Sequence, residues 1–465
     1  MADNERAINW FMEPMESPTT PAPWVLLPTP GFTQIANVPQ APIRGMFSQN
    51  GRVFFVAGFA FYEMDPVTYV TTLRGSVAAD GNPVTMCSNG DAGGQLFLTS
   101  AGVGYLFDLN TSAFTTVLAS GATMGDYLDG YFLALDATTS TFRISNLLDG
   151  STWNPAQVAQ RTAGADRWVA MKVCNRLIYL IGEQTSEVWW NAGTFPFPFQ
   201  PIQEAFMQQG TTAPWSLAVI TTDAVGSLCW VTGNAQGRGM VVRTNGYVPG
   251  RISNHALEFA IENYADIEDA LACCYQEQGH SFYVLTFPTG DQTWAFDTNT
   301  SLWHERAYWD VDESSYHAQH PIWFCSTTTQ NLAGDRDSGR VHVMSQASSL
   351  DEYGSLIRRM RQPPRLSAEQ KRFVVNSFQI VLDVGLGLVT GQGSDPQLML
   401  RVSMDGGRVF GNERWVSGGK IGAFSTRARW TRLGQGRNFV PQVVVSDPIP
   451  WRLVEALVDV SVGVS

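Results

Sequence analysis

The sequence predicts an all-β fold, a β-propeller of six or seven blades followed by a C-terminal β-sandwich-like domain. Two observations carry this. A tight turn followed by an apolar strand recurs along most of the chain, and the composition disfavours long helices, with 43 Gly, 24 Pro, 12% aromatic and only 15% charged residues. At 465 residues the chain also exceeds what one simple hydrophobic core serves, which favours a ring of small repeated cores.

The repeat occurs seven times: NGRVFFVAG from Asn50, GGQLFLTSAG from Gly93, LDGYFLALDA from Leu128, CNRLIYLIGE from Cys174, VGSLCWVTGN from Val225, GHSFYVLTFP from Gly279 and SGRVHVMSQ from Ser338. Spacings of about 36 to 60 residues bracket the interval of four-stranded propeller blades. A second element follows in several repeats: FDLNTSAF from Phe107 and FDTNTSLW from Phe296 are close copies, and YEMDPVTYV from Tyr62 is a weaker one. There an apolar strand ends in Asp, a polar turn follows, and an aromatic opens the next strand, which is a hairpin signal. The last unit, ending near Ser355, is degenerate and is expected to share strands with the N-terminal segment around Pro39 to Met46.

Other segments flank this pattern. Clustered prolines (Pro18, Pro21, Pro23, Pro28, Pro30) make residues 1–38 an extended N-terminal arm. The propeller then covers 39–356, with a helical insertion near 253–272 where Ala, Leu, Ile and Glu recur at helical spacing. RRMRQPPRLSAEQKR from Arg358 reads as a linker over 357–372, and 373–465 is an Arg-rich β-domain. In that domain Arg427, Arg429 and Thr431 alternate with Ala428 and Trp430, so one strand offers an arginine row to a partner.

The net charge of −12 conceals an asymmetry. Residues 1–355 carry 15 Lys+Arg against 34 Asp+Glu, and residues 356–465 carry 15 against 8. Almost all the positive charge is Arg, which suits ordered interfaces better than a merely solvated face. No apolar run is long enough for a membrane helix and the N-terminus is unlike a signal peptide, so a soluble chain without membrane insertion is expected. The six cysteines include no CxxC pair and are expected as buried free thiols.

Sharper motifs lead to bland readings. Ser403, Asp405, Gly407 and Phe410 match the S-x-D-x-G-x-x-[WF] Asp-box, a structural turn in which Asp bonds its own loop backbone and Gly takes a positive φ. His317 and His320 in HAQH lie in a loop with no completing ligand spacing. Acidic pairs such as Asp310 with Asp312, Asp335 with Asp337 and Glu268 with Asp269 read as solvated loop carboxylates. No GxSxG elbow, P-loop, HExxH or GxGxxG following a strand is present. The expectation is a non-enzyme with no catalytic, cofactor-binding or metal residues. Candidate subunit or adaptor contacts are Arg358, Arg359, Arg361, Arg427, Arg429, Arg432 and Arg437.

Three long stretches, Phe142 to Gly193, Leu271 to Trp309 and Leu400 to Pro450, resemble in this order the tail-hub family of short-tailed bacteriophages, also named packaged-DNA stabilisation proteins. The resemblance implies a virion tail protein assembled in the host cytoplasm. It further implies a homo-oligomeric ring, a hexamer, below the portal and its head-to-tail adaptor, with tail fibre, spike or needle proteins as further partners. Such a ring conducts double-stranded DNA transiently and helps retain the packaged genome. The alternative is a propeller appendage that binds or degrades glycans.

Overall fold

The computed structural model of the chain describes residues 5–15, 22–161, 163–222, 225–234, 237–369 and 371–463. Pro18 and Pro21 of the expected arm lie outside them. Two compact bodies emerge, Gln34–Asp291 with His320–Val343, and Met1–Thr33 with Gln292–Gln319 and Met344–Ser465.

The first body is the propeller. Four of the repeats start with a hairpin whose two central turn residues both have positive φ: Asn50 and Gly51 (51° and 73°), Asp129 and Gly130 (49° and 94°), Asn175 and Arg176 (50° and 62°), Gln278 and Gly279 (50° and 84°). Flanking pairs such as Gln49 with Arg52 and Leu128 with Tyr131 close two-residue loops, the geometry whose twist matches that of the strands. The strand after the turn is the second of its blade and is covered on both faces. Its sequence is therefore apolar almost throughout, and all eight residues of His280–Phe287 are buried. Five repeats complete a sheet of four strands in chain order, from Ile43–Gln49 through Val248–Arg251. The sixth supplies the hairpin of Leu271–Glu277 with His280–Phe287.

The seventh sheet closes the ring. It consists of Pro321–Ser326, Asn331–Asp335, Arg340–Ser345 and the N-terminal strand Gly31–Asn37. The expected sharing with the N-terminus is thus found, on different residues: 31–37 complete the last sheet, and Ile43–Gln49 opens the first. The seventh motif also falls on the third strand of its sheet, because the second, Asn331–Asp335, carries too few apolar residues to announce itself. The first strands of consecutive sheets pack on one another around the axis, and Pro321–Ser326 packs on Ile43–Gln49, which gives seven blades. Polar bonds stitch this inner ring, among them Gly125 N to Thr85 Oγ1 (2.7 Å), Val173 N to Asp126 Oδ2 (2.8 Å) and Ser48 Oγ to Ser326 O (2.6 Å).

Apolar cores lie between neighbouring blades. Phe54, Phe61, Leu96 and Phe107 join the first two, and Trp168, Trp189, Leu228 and Trp230 belong to a cluster reaching the fifth. The helical insertion is shorter than expected, His255–Glu262, because only Asn254, Leu257 and Ile261 provide a cap and a buried stripe. All six cysteines are free, Cys273 and Cys274 being only half-buried.

The second body is a sandwich that incorporates the N-terminal strands. One sheet runs Trp10–Pro14, Trp24–Pro28, Leu453–Val462, Phe373–Leu382, Ala428–Gly436. The other runs Gln292–Asp297, Leu302–Asp310, Arg6–Ile8, Arg359–Gln362, Asn438–Val445, Gln397–Ser403, Arg414–Ser417. Trp10, Phe378, Trp430, Phe439 and Trp451 fill the space between them. The stretch expected as a linker therefore contains a paired strand, and residues 6–8, 10–14 and 24–28 of the expected arm are sheet. Among the described residues no helix is long and apolar enough to cross a membrane.

Candidate interaction surface

The seven candidate arginines separate into two groups, and the sandwich decides which is which. Arg358, Arg359 and Arg361 flank or occupy a central strand, with Arg6–Ile8 on one side and Asn438–Val445 on the other. Arg358 donates to Glu413 Oε1 at 2.8 Å and lies over the Trp309 ring at 4.5 Å. Arg361 is bound to Glu5 and donates to the Arg6 carbonyl. Arg359 is only 2% exposed, its guanidinium 3.4 Å from the carbonyls of Ile357 and Thr29, and burial lowers it to about 10. This corrects the expectation for Arg359, since a side chain sealed inside the sandwich has no surface to offer a neighbour. The sequence hid it because RRMR looks solvated until an N-terminal strand covers it.

Arg427, Arg429, Arg432 and Arg437 are exposed. Arg429 and Arg432 lie on Ala428–Gly436, the last strand of its sheet, while Arg427 and Arg437 stand just beyond its two ends. The predicted alternation is present: Ala428 and Trp430 are buried, and Arg427, Arg429 and Thr431 project from the other face. Arg429 Nη2 donates to Ser377 Oγ on the adjacent strand at 3.0 Å, which holds the side chain flat along the sheet. At Arg432 the φ of 57° and a register shift opposite Val375 and Ser377 mark a bulge, so the row turns there.

A largely unpaired strand side within the same sheet was not legible as a site. Leu453–Val462 pairs along its length with Phe373–Leu382, but on its other side, among the described residues, only Leu453 is paired, to Leu26. Glu455, Leu457, Val458, Asp459 and Val462 are all exposed there. The available signal was EALVDVSV itself, a β-branched run with two carboxylates.

The Asp-box closes as a self-contained turn. Asp405 Oδ1 accepts from Ser403 Oγ (2.5 Å), Arg408 N (2.9 Å) and Val409 N (3.1 Å), while Gly407, at φ 91°, donates its N–H to Ser403 Oγ at 2.9 Å. The Ser403 hydroxyl and these amides hold the Asp405 carboxyl below its usual range. Phe410 lies beneath the Arg401 guanidinium at 5.7 Å. The two histidines of HAQH part company: His317 Nε2 meets Ser315 Oγ at 2.7 Å, and His320 Nε2 meets Asp337 Oδ2 at 3.1 Å. Among the described residues no group of three or more His, Cys, Asp or Glu could hold a metal ion.

Comparison with known proteins places this architecture. No curated protein sequence matches the chain. Among solved structures, a chain of the S. cerevisiae assembly of Dbp5 with Nup159 and Gle1 is 12% identical, with 68% of this chain and 95% of that chain covered and a TM-score of 0.43. A chain of the Mitotic Checkpoint Complex is 9% identical over 72% and 95%, at 0.42. KlHsv2 with one loop replaced by a Gly-Ser linker is 9% identical over 67% and 96%, at 0.36. Likenesses this distant carry no functional argument. The family models do: the model described as bacteriophage P22 Gp10, beta-propeller, matches residues 6–349, and the one described as bacteriophage P22 Gp10, beta-sandwich, matches residues 358–461. With both matched in order over nearly all of its length, the chain belongs to the bacteriophage P22 Gp10 family and is a structural protein of the phage tail.

Proposed function

We propose that the chain forms the tail hub, or nozzle, of a short-tailed phage, a homo-oligomeric ring of six copies. It sits below the portal and its head-to-tail adaptor and carries fibre, spike or needle proteins beneath. Double-stranded DNA passes it transiently, and the ring helps retain the packaged genome. Its work is mechanical, without cofactor or bond chemistry, and particles assemble in the host cytoplasm.

The observation that best supports this is the division of charge. An excess of carboxylates over residues 1–355 repels phosphate, so a duplex slides past without the counterion release that makes basic surfaces bind tightly. Exposed arginines on a strand margin of the sandwich suit docking on acidic protein surfaces. The test is native mass measurement of the purified chain, alone and with adaptor protein. A closed ring that gains mass with adaptor is expected. A stable monomer that ignores adaptor, or sustained release of reducing ends from host polysaccharide, would overturn the reading.

A further inference from the structure

We propose that the sandwich joins edge to edge with that of a second copy of this chain. The arginine-bearing strand Ala428–Gly436 of one copy lies beside the open margin of Leu453–Val462 of the next. This rests on the reading of the chain as ring-forming and names the contact that builds the ring.

The margin is open over residues 455–462, about 26 Å of strand, where outward N–H and C=O groups have no ladder partner among the described residues. Edge strands of this length are usually blunted by Pro, Lys or a bulge that turns the edge away. Here no Pro or Lys stands between 453 and 462, the one extra residue on this strand, Val454, precedes the open stretch, and Leu457 and Val462 are 45% and 52% exposed. Such a margin is a template for an added strand.

Charge selects which strand. Gln379 lies opposite both Arg429 and Leu457, and Ile380 opposite both Ala428 and Ala456. Arg427, Arg429 and Thr431 therefore share one face with Glu455, Leu457 and Asp459, the basic residues along one margin and the acidic along the other. Pairing two identical margins would set carboxylate against carboxylate, or arginine against arginine, which is destabilising across strands. Pairing unlike margins sets arginines against Glu455 and Asp459. Both strands run antiparallel to Phe373–Leu382, hence in the same direction, so copies in one orientation add parallel strands, head to tail. Such a heterologous contact repeats from copy to copy and closes as a ring.

The full chain tests this. R427E/R429E leaves both margins acidic, and E455R/D459R leaves both basic. Each variant alone is expected to lose assembly, with association weakened at least about tenfold. An equal mixture of the two regains rings, since each supplies the margin the other lacks. A separate R429C/L457C chain is expected to form disulfide-linked oligomers on oxidation. Within one copy those positions flank Gln379 and stand about 9.6 Å apart, too far to bridge. Wild type that assembles, with variants that assemble equally well or fail to complement and no cross-linking, overturns the edge contact and leaves the ring standing. Wild type that stays monomeric at every concentration overturns both.

Discussion

Arg161 shows how much a single buried side chain can govern in this propeller. It is 8% exposed, lies 3.1 Å from Asp166 and 3.2 Å from Glu187, and donates to the Thr185 carbonyl at 3.2 Å. Burial raises the Glu187 carboxyl above its usual value even with the guanidinium beside it. Arg161→Met therefore strands the buried Glu187 carboxylate, while Asp166 keeps the Gln184 and Thr185 amides and the Thr185 hydroxyl, and is expected to cost about 3–5 kcal/mol, read as a lower urea midpoint. Adding Glu187→Gln removes the stranded charge and should recover part of that loss. A double variant no more stable than the single one would contradict the account. The two acids come 5 and 26 residues after Arg161, and nothing in that spacing reveals that one site collects all three.

At the scale of the element, the decisive feature is the closure of the seventh blade. Val38 N donates to Gly339 O at 3.0 Å, and a Cβ on Gly339 would lie 2.1 Å from Val38 O and 2.5 Å from Gln40 O. Both obstacles are backbone. Gly339→Ala must therefore push the closing strand away and is expected to cost about 1–3 kcal/mol, with faster proteolysis near residue 38. An unchanged denaturation midpoint would show that the closure does not hold the ring. The hairpin turns, by contrast, were readable directly. In YEMDPVTYV and FDLNTSAF, Asp65 and Asp108 accept the backbone amides two and three residues on at 2.7–2.8 Å, as an Asp placed before a polar turn should.

For the whole molecule, a buried histidine and the Asx carboxyls each make stability fall in acid. Burial pushes the His342 imidazole down to about 4 from 6.5. The unfolded chain thus takes up a proton that the folded one refuses, and stability falls as pH drops from about 6.5 towards 4. The Asx carboxyls follow. Backbone amides of Thr68 and Thr111 hold Asp65 and Asp108 below the ordinary value, so their contribution is present above it and disappears at still lower pH. Melting temperatures from pH 7.5 to 4.5 should therefore decline, and His342→Gln should flatten that slope whatever it does to stability at neutral pH. Equal slopes would contradict the assignment.

The sequence by itself determined the propeller, because doubly covered second strands, preceded in four repeats by two-residue turns with positive φ, leave a local signature. It also determined the alternation of the arginine strand and the two-part charge. Tertiary structure alone decided the rest, and most of those features join residues hundreds of positions apart: Gly31–Asn37 with Arg340–Ser345, Arg6 with Glu305, Glu5 with Arg361. Pairing at that separation leaves no period in the chain. Whether an arginine is buried or presented depends on which strand comes to cover it, and that is settled only when the sheets close.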